Sequence, residues 1–302
     1  MTHVSARRGA VYVSVAATAW GTGGAAGSLL FDLGGLGPVG VSLWRYLLGA
    51  AFLLALAPRP ARFGRRVVPI GAGMALYQTA YFAAIDRAGV AVATVVTMGA
   101  TPVLAALGSR FLLRERLGAL ALGSLAAALA GLVLLTAETA LNGTVSNSAA
   151  LNGTGPGAGG SAAAGIGFAL ASAAGYAGVT LLSRHRRDDD PAGTAAGGFV
   201  VAAACLAPFA LTGHVVPEVS PASVALLLYL GAVPTALAYG LFFRALTVLR
   251  ATTVSIISLG EAVGAALLGV LLFGERLAPL AWCGCALLLA AVAVLAARPE
   301  TG

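Results

Sequence analysis

The stretch Val103–Leu117, VLAALGSRFLLRERL, decides the fold because the chain contains it twice. A shift of 160 positions places it on Val263–Leu277, VGAALLGVLLFGERL, where eight of the fifteen positions are identical and no gap is needed. Both stretches end in the charged triplet Glu-Arg-Leu, which an Ala- and Leu-rich composition alone does not explain. We therefore interpret the chain as two copies of one unit.

The composition is typical of a protein whose solvent is largely lipid. Hydrophobic residues make up 59% of the 302 residues and charged residues 10%, with a mean hydropathy of +0.93, whereas a soluble domain carries about 25% charged residues. The net charge is +7, and every residue in the Lys+Arg count is an arginine. This bias, together with abundant Ala and Gly, suggests a bacterial source. The arginines are dispersed without aromatic interleaving, which disfavours nucleic-acid binding.

Ten stretches are long and apolar enough to cross a bilayer, which takes about 20 residues of helix. They are residues 10–30, 38–57, 67–87, 90–113, 118–137, 162–183, 192–212, 222–245, 251–273 and 278–297. Lipid cannot satisfy open backbone groups, and the runs lack the period-two alternation of a β-barrel, so we predict helices. The first stretch could instead be a signal peptide, but the first copy needs it to match the five spans of the second.

The spans divide the chain into two five-helix repeats, residues 10–137 and 162–297, joined by a flexible external linker at 138–161 that is rich in Gly, Ser, Asn and Thr. With the N-terminus inside, fifteen arginines fall on the inner side and two on the outer side. The positive-inside rule therefore predicts a multi-pass protein of the bacterial plasma membrane with both termini cytoplasmic. Because five is odd, the repeats are inverted, as in many secondary transporters.

The chain resembles the EamA-type transporters of the drug/metabolite transporter superfamily over residues 10–297. The segment Ser258–Leu280, SLGEAVGAALLGVLLFGERLAPL, is similar to the ninth-helix signature of that family, and residues 101–116 occupy the equivalent place in the first copy. Ala19-Trp20-Gly21 and the Arg45 of LWRYLLGA also resemble family positions. The resemblance implies ten helices, a lipid environment, and export or exchange of small polar or amphipathic metabolites such as amino-acid-like or drug-like solutes. Ala262 replaces the usual Pro after Glu261, which puts the bend of the ninth helix in question.

Two charged residues lie within predicted spans, where a charge costs about 2.5–3.5 kcal/mol or more at the bilayer centre. Glu261 could carry a proton or contact a cationic group, or it could be a neutral carboxyl that packs helices together. Arg45 could pair with Glu261 or hold an anionic group, or its side chain could satisfy backbone carbonyls and reach the interface.

Aromatic and polar side chains within the spans are candidates for lining a cavity, although each could equally serve packing. They are Trp20, Tyr77, Gln78, Tyr81, Tyr176 and Tyr239. Tyr77 and Tyr81 are four residues apart and share one helix face. Pro102 and Pro234 fall inside apolar spans, where a helix break could free backbone carbonyls for a site.

The sequence favours no enzyme, cofactor or metal site. The histidines His3, His185 and His214 show no ligand spacing, and a chain without lysine has no P-loop. We predict a secondary transporter that moves small solutes by alternating access, as an exporter or exchanger coupled to an ion gradient. An uncoupled facilitator, a membrane scaffold or sensor, and an intramembrane enzyme are the alternatives. The sequence leaves open the substrate, the direction, the coupling ion and whether the protein forms a homodimer.

Overall fold

The computed structural model describes residues 5–55, 67–115, 118–151, 162–186, 190–210, 215–273 and 279–297. In these ranges the regular structure is helical, without β-strands, which confirms the predicted all-α class. The helices are α1 (Ala6–Gly34), α2 (Pro38–Ala55), α3 (Val67–Phe111), α4 (Ala119–Leu151), α5 (Ala162–Arg186), α6 (Pro191–Ala210), α7 (Pro221–Gly231), α8 (Ala238–Leu246), α9 (Ala251–Ser258), α10 (Gly260–Phe273) and α11 (Pro279–Ala297). A π-helical segment, Ala232–Leu237, joins α7 to α8.

Many of these helices have the length and composition of membrane spans. Among the described residues five helical stretches qualify, Ala163–His185, Pro191–Phe209, Pro221–Leu246, Ala251–Leu268 and Pro279–Ala297. The stretches Val39–Ala55 and Ala119–Leu135 are shorter but also apolar. Large apolar side chains such as Leu122, Val133 and Trp282 lie exposed on the outside of the bundle. Exposure of this kind is unfavourable in water and favourable against lipid tails.

The predicted third and fourth spans form one helical element, α3, that doubles back on itself. Gly73 packs against Val179 of α5, and Gly108 packs against Leu181 of the same helix. A straight helix would separate positions 73 and 108 by about 52 Å at 1.5 Å per residue. Because Val179 and Leu181 are only two positions apart, the chain reverses between the two glycines. We call residues 67–84 the first arm of α3 and residues 93–111 its second arm.

The last helix of each repeat packs against its counterpart in the opposite direction. A Cβ on Gly284 of α11 would lie 2.5 Å from the backbone nitrogen of Leu135 in α4. A Cβ on Gly131 of α4 would lie 2.8 Å from the backbone nitrogen of Leu288. Position 131 therefore faces 288 while 135 faces 284, so α4 and α11 run antiparallel. This is the inversion that an odd number of spans per repeat predicts.

The first helix of the second repeat, α5, packs into the first repeat. Its Ser172 hydroxyl donates to the carbonyl of Tyr77 in the first arm of α3 at 2.9 Å. Thr97 of the second arm donates to the carbonyl of Ala169 in α5 at 3.2 Å. Because Val179 of α5 meets Gly73, α5 runs antiparallel to the first arm and parallel to the second.

The first helix of the first repeat, α1, packs into the second repeat in the same way. A Cβ on Gly23 would lie 3.2 Å from the Pro234 side chain, and Gly9 lies against Val248 beyond α8, so α1 runs antiparallel to α7 and α8. Gly260 lies near Ala17 and Gly264 near Gly21, so α1 runs parallel to α10. The two repeats therefore exchange their first helices, and each bundle is completed by the other.

Two further details concern the predicted linker and a predicted helix break. α4 continues as a helix to Leu151, within the stretch 138–161 predicted as a linker. Residues 137–141, AETAL, are mostly good helix formers and extend the apolar run before the Gly- and Asn-rich part begins. The remainder of the predicted linker, 152–161, lies outside the described residues. Pro102, considered as a helix break, lies inside the second arm of α3.

The ninth span is interrupted directly before Glu261. The backbone nitrogen of Leu259 donates to the Ile256 carbonyl at 3.1 Å, and that of Ala262 donates to the Leu259 carbonyl at 3.1 Å. These i to i−3 bonds tighten the helix locally and separate α9 from α10. Glu261 consequently lies in the first turn of a new helix.

Candidate functional site

Aromatic and charged side chains from six helices and one arm of α3 meet inside the bundle. We call this group the central cluster, and its members are Trp20 of α1, Arg45 and Tyr46 of α2, Tyr77 and Gln78 of the first arm of α3, Tyr176 of α5, Phe199 of α6, Tyr239 and Phe242 of α8, and Glu261 of α10. Both repeats contribute to it. The cluster therefore lies where the exchanged first helices cross the opposite repeat.

Trp20 is at the centre of a connected set of aromatic rings. Its ring centroid lies 5.0 Å from that of Tyr239, 5.4 Å from that of Phe242 and 6.5 Å from that of Tyr176, all edge-on. The rings of Tyr77 and Tyr176 are 5.4 Å apart. Edge-to-face contacts at these distances are favourable because the positive ring edge meets the negative face. The rings form a firm wall that can accept an apolar or aromatic group.

Arg45 extends from α2 toward this wall and is held at one atom. Its Nε lies 3.3 Å from the hydroxyl of Thr235 in the π-helical segment. Within the described chain the two terminal nitrogens of Arg45 have no hydrogen-bond partner, and neither is sealed from solvent. The side chain is half-buried. A guanidinium in this state can bind an anionic group in a bidentate manner.

Glu261 belongs to the same cluster as Arg45, but no ion pair joins the two side chains in the described structure. Its carboxylate likewise has no hydrogen-bond partner among the described residues, and both oxygens remain accessible. The first turn of α10 favours a negative charge at this position because the helix dipole is positive there. An arginine and a glutamate thus remain without an ion pair inside a largely apolar bundle.

One polar group of the cluster is buried and has no partner. The indole Nε1 of Trp20 has no hydrogen-bond acceptor in the described structure, and the residue is only 7% exposed. An unsatisfied buried donor costs about 1–3 kcal/mol. By contrast, the fully buried Tyr46 hydroxyl donates to Oε1 of Gln78 at 3.5 Å. The Trp20 N–H is therefore a donor that a bound solute could satisfy.

The structure brings together most of the residues that the sequence offered as candidates. Glu261, Arg45, Trp20, Tyr77, Gln78, Tyr176 and Tyr239 all belong to the central cluster. Tyr81 instead packs with Ala84, Ala93 and Ala169, one turn further along the first arm of α3. Of the two prolines considered as helix breaks, Pro234 coincides with altered helix, since it lies in the π-helical segment.

Sequence reasoning missed four residues of this region, namely Tyr46, Phe199, Thr235 and Phe242. Tyr46 and Phe199 stack with ring centroids 5.4 Å apart. A signal existed for Thr235, because a hydroxyl directly after an in-span proline can bond to the carbonyl that the proline leaves free. No sequence signal separates Phe199 and Phe242 from ordinary core phenylalanines.

A second buried polar group, Arg184, joins the two repeats at one end of the bundle. Arg184, near the end of α5, is 2% exposed and its Nε lies 3.4 Å from Oε1 of Glu115. Its Nη1 donates to the carbonyls of Leu246 at 3.1 Å and Thr247 at 3.2 Å, at the end of α8. Arg184 thus joins both repeats at this end.

A groove of about 570 Å³ lies apart from the central cluster, between α5 and the two ends of α3. Its mainly apolar lining includes Leu76, Leu112 and His185. It contains no residue of the cluster. In the described part of the chain no three His, Cys, Asp or Glu side chains are arranged to hold a metal ion.

Comparison with known proteins identifies a family, a curated relative and a similar solved structure. Residues 7–137 and 163–297 each match the EamA-like transporter family. The uncharacterized transporter YwfM of Bacillus subtilis (strain 168) is 30% identical over 297 residues, covering 96% of this chain and 94% of YwfM. A solved crystal structure shares 24% identity and a TM-score of 0.76, covering 96% of this chain and 98% of the solved one, which shows a common fold.

Proposed function

Because the chain belongs to the EamA-like transporter family, we propose that this multi-pass membrane transporter moves a small polar or amphipathic solute by alternating access around the central cluster. The family consists of transporters of the drug/metabolite type, so the activity is transport and not catalysis. The substrate enters a site built from both repeats, whose inverted packing lets one end open while the other closes.

The observation that carries this proposal is the pair of separate charges in the cluster. Arg45 and Glu261 keep accessible polar atoms without a protein partner among the described residues. Charged groups within spans are costly and are usually paired with each other or with a ligand. A solute that carries complementary polar groups would satisfy them, and the aromatic wall around Trp20 would receive its apolar part.

The end of the bundle that holds Arg184 is the closed end in this proposal. Arg184 and Glu115 connect the two repeats there, so alternating access requires their contact to break when this end opens. The repeat shift of 160 places Glu275 at the position equivalent to Glu115. Glu275 lies outside the described residues.

Glu261 is the proposed coupling residue. A carboxyl in an apolar interior can take up a proton from one side and lose it to the other as access alternates. Its place in the first turn of α10, next to the interruption at Leu259, means that a small bend of the ninth span moves the carboxyl relative to Arg45. Proton exchange would then accompany solute movement, which makes the protein a secondary exporter or exchanger.

The proposed location is the bacterial plasma membrane with both termini in the cytoplasm. The support is the distribution of arginine, fifteen residues on the inner side against two on the outer side. In this orientation Arg184 and Glu115 are at the cytoplasmic end. A membrane-impermeable thiol reagent applied to intact cells would test this, because a cysteine introduced near the N-terminus should stay unlabelled until the cells are permeabilised.

The proposed function is tested by solute flux. A growth-resistance screen of an overexpressing strain against metabolites and toxins identifies a solute, and purified protein in proteoliposomes is then given a pH gradient. We expect Glu261→Gln to abolish gradient-driven accumulation while keeping solute exchange, and Glu218→Gln, at an exposed residue, to change neither.

Each other outcome has a defined meaning. If the solute flux of the unmodified protein does not change with the pH gradient, the protein is an uncoupled facilitator. Gradient-driven accumulation that survives Glu261→Gln intact would exclude Glu261 as the coupling residue. A protein that moves none of the solutes to which it confers resistance would be a scaffold or sensor, and the proposal would be abandoned.

A further inference from the structure

We infer that Thr235 is a positioning residue that orients the Arg45 guanidinium to receive an anionic group of the transported solute. The inference rests on the proposed function and adds a substrate class to it, namely amphipathic solutes with a negatively charged group. It is carried by four connected features of the π-helical segment and of α2.

The first feature is a carbonyl that lacks its usual donor. Pro234 has no backbone N–H, so it cannot donate to the carbonyl four residues earlier, which is that of Leu230. The hydroxyl of Thr235 donates to this Leu230 carbonyl at 2.7 Å. π-Helical turns inside α-helices occur frequently at functional sites, because they redirect side chains and backbone groups.

The second feature follows from the chemistry of a hydroxyl, which has one proton and two lone pairs. Thr235 uses its proton on Leu230, so its oxygen can meet Arg45 only as an acceptor. The Nε of Arg45 accordingly donates to Thr235 Oγ1 at 3.3 Å. Because Thr235 is fully buried, this acceptor has no competition from water.

The third feature is the geometry that this bond imposes on Arg45. The guanidinium is planar, and fixing Nε orients the two terminal nitrogens together. Those nitrogens have no partner among the described residues and are accessible. They are therefore available as a fork, which suits a carboxylate or another planar anion.

The fourth feature is the close approach of α2 to the π-helical segment. A Cβ on Gly49 would lie 2.5 Å from Thr235 Cγ2 and 3.2 Å from the Phe199 ring. Gly49 is one turn after Arg45 and on the same helix face. Only a residue without a side chain at this position lets α2 come near enough for the bond between Arg45 and Thr235.

The position of the Arg45 guanidinium matters because an acidic residue, Glu261, belongs to the same cluster. It is the acidic residue that faces Arg45 in the cluster, and a free guanidinium could turn toward it. In the described structure Arg45 donates to Thr235 and forms no ion pair with Glu261. The solute anion and the proton on Glu261 can then occupy separate places.

The test measures binding to purified protein in detergent with Trp44→Phe and Trp282→Phe, which leaves Trp20 as the fluorescent reporter within the cluster. The probes are phenylacetate and phenethylamine, which share an aromatic ring and carry opposite charges. We expect Thr235→Val to weaken phenylacetate binding about tenfold, as loss of a hydrogen bond to a charged group would, and phenethylamine binding less than about twofold. Thr235→Ser keeps the hydroxyl and should retain phenylacetate binding.

A double-mutant cycle separates positioning from a general effect on the fold. In an Arg45→Gln background, Thr235→Val should cause no further loss of phenylacetate binding, because the residue acts through Arg45. Equal losses for both probes, loss that persists in the Arg45→Gln background, or no loss at all would overturn the inference. Binding of neither probe to the parent protein would overturn the anion assignment, whereas absence of solute flux would overturn the proposed function.

Discussion

Arg184 Nε lies 3.4 Å from Oε1 of Glu115, and this contact joins the end of α5 to the segment that follows α3. The arginine side chain is 1% exposed and that of the glutamate 14%. Because Arg184 also donates to the carbonyls of Leu246 and Thr247, one side chain connects three parts of the chain at this end of the bundle. Breaking a buried pair by removing one partner is costly, since a charge is left without compensation.

Glu115→Ala should therefore destabilise the protein by about 3 kcal/mol, the cost expected for leaving a buried arginine uncompensated. The measurement is thermal unfolding of the purified protein in detergent. Arg110→Ala is the matched control, because Arg110 is an exposed charge close to Glu115 in sequence. Equal stability of the two variants would show that the contact contributes nothing to the closed end.

Gly284→Ala should destabilise the packing of the two repeats. The new Cβ would lie 2.5 Å from the backbone nitrogen of Leu135 and 2.6 Å from the carbonyl oxygen of Gly131, and backbone atoms cannot rotate away. Overpacking of this kind costs about 1–3 kcal/mol. Gly123→Ala in α4 is the control, because no atom lies within 4 Å of its new Cβ. That control should be neutral or stabilising, since alanine is the better helix former.

Trp20→Phe should weaken solute binding without destabilising the fold. The substitution removes a buried indole N–H that has no acceptor in the described structure, so the fold loses no hydrogen bond. Trp44→Phe provides the contrast, because the Trp44 Nε1 donates to the carbonyl of Val215 at 2.8 Å. We expect that variant to lose about 1 kcal/mol of stability and to keep solute binding. Unfolding and binding assays on both proteins check the pair, and a large loss of stability in Trp20→Phe alone would contradict the assignment.

Gly49→Ala should reproduce the effect of Thr235→Val on anion binding. The added methyl group would collide with Thr235 Cγ2 and displace the hydroxyl from Arg45. Gly27→Ala in α1 has open space around its new Cβ and serves as the control. The phenylacetate titration described above measures both variants. If Gly49→Ala binds phenylacetate as tightly as the Gly27→Ala protein does, the approach of α2 does not set the position of Arg45.

The sequence by itself determined the number of spans, the repeat and its inversion. These follow from the length of apolar runs and from one duplicated stretch, because in lipid the polar backbone of an apolar segment satisfies its hydrogen bonds by forming a helix. It also supplied the charged and aromatic residues from which a site could be built. Tyr77 and Tyr81 show the limit of this reasoning, since they share a helix face but only Tyr77 joins the central cluster, while Tyr81 packs against Ala84, Ala93 and Ala169.

Only the tertiary structure decided which of those side chains meet. The rotation of each helix depends on where glycines allow close approach, as Gly49 does for α2 and Gly21 does for α1 against α10. The π-helical turn at Pro234 then aims the Thr235 hydroxyl at Arg45, which depends on the partner helix and not on the local sequence alone. Contacts between residues 190 positions apart come from packing, and hydropathy along the chain does not encode them.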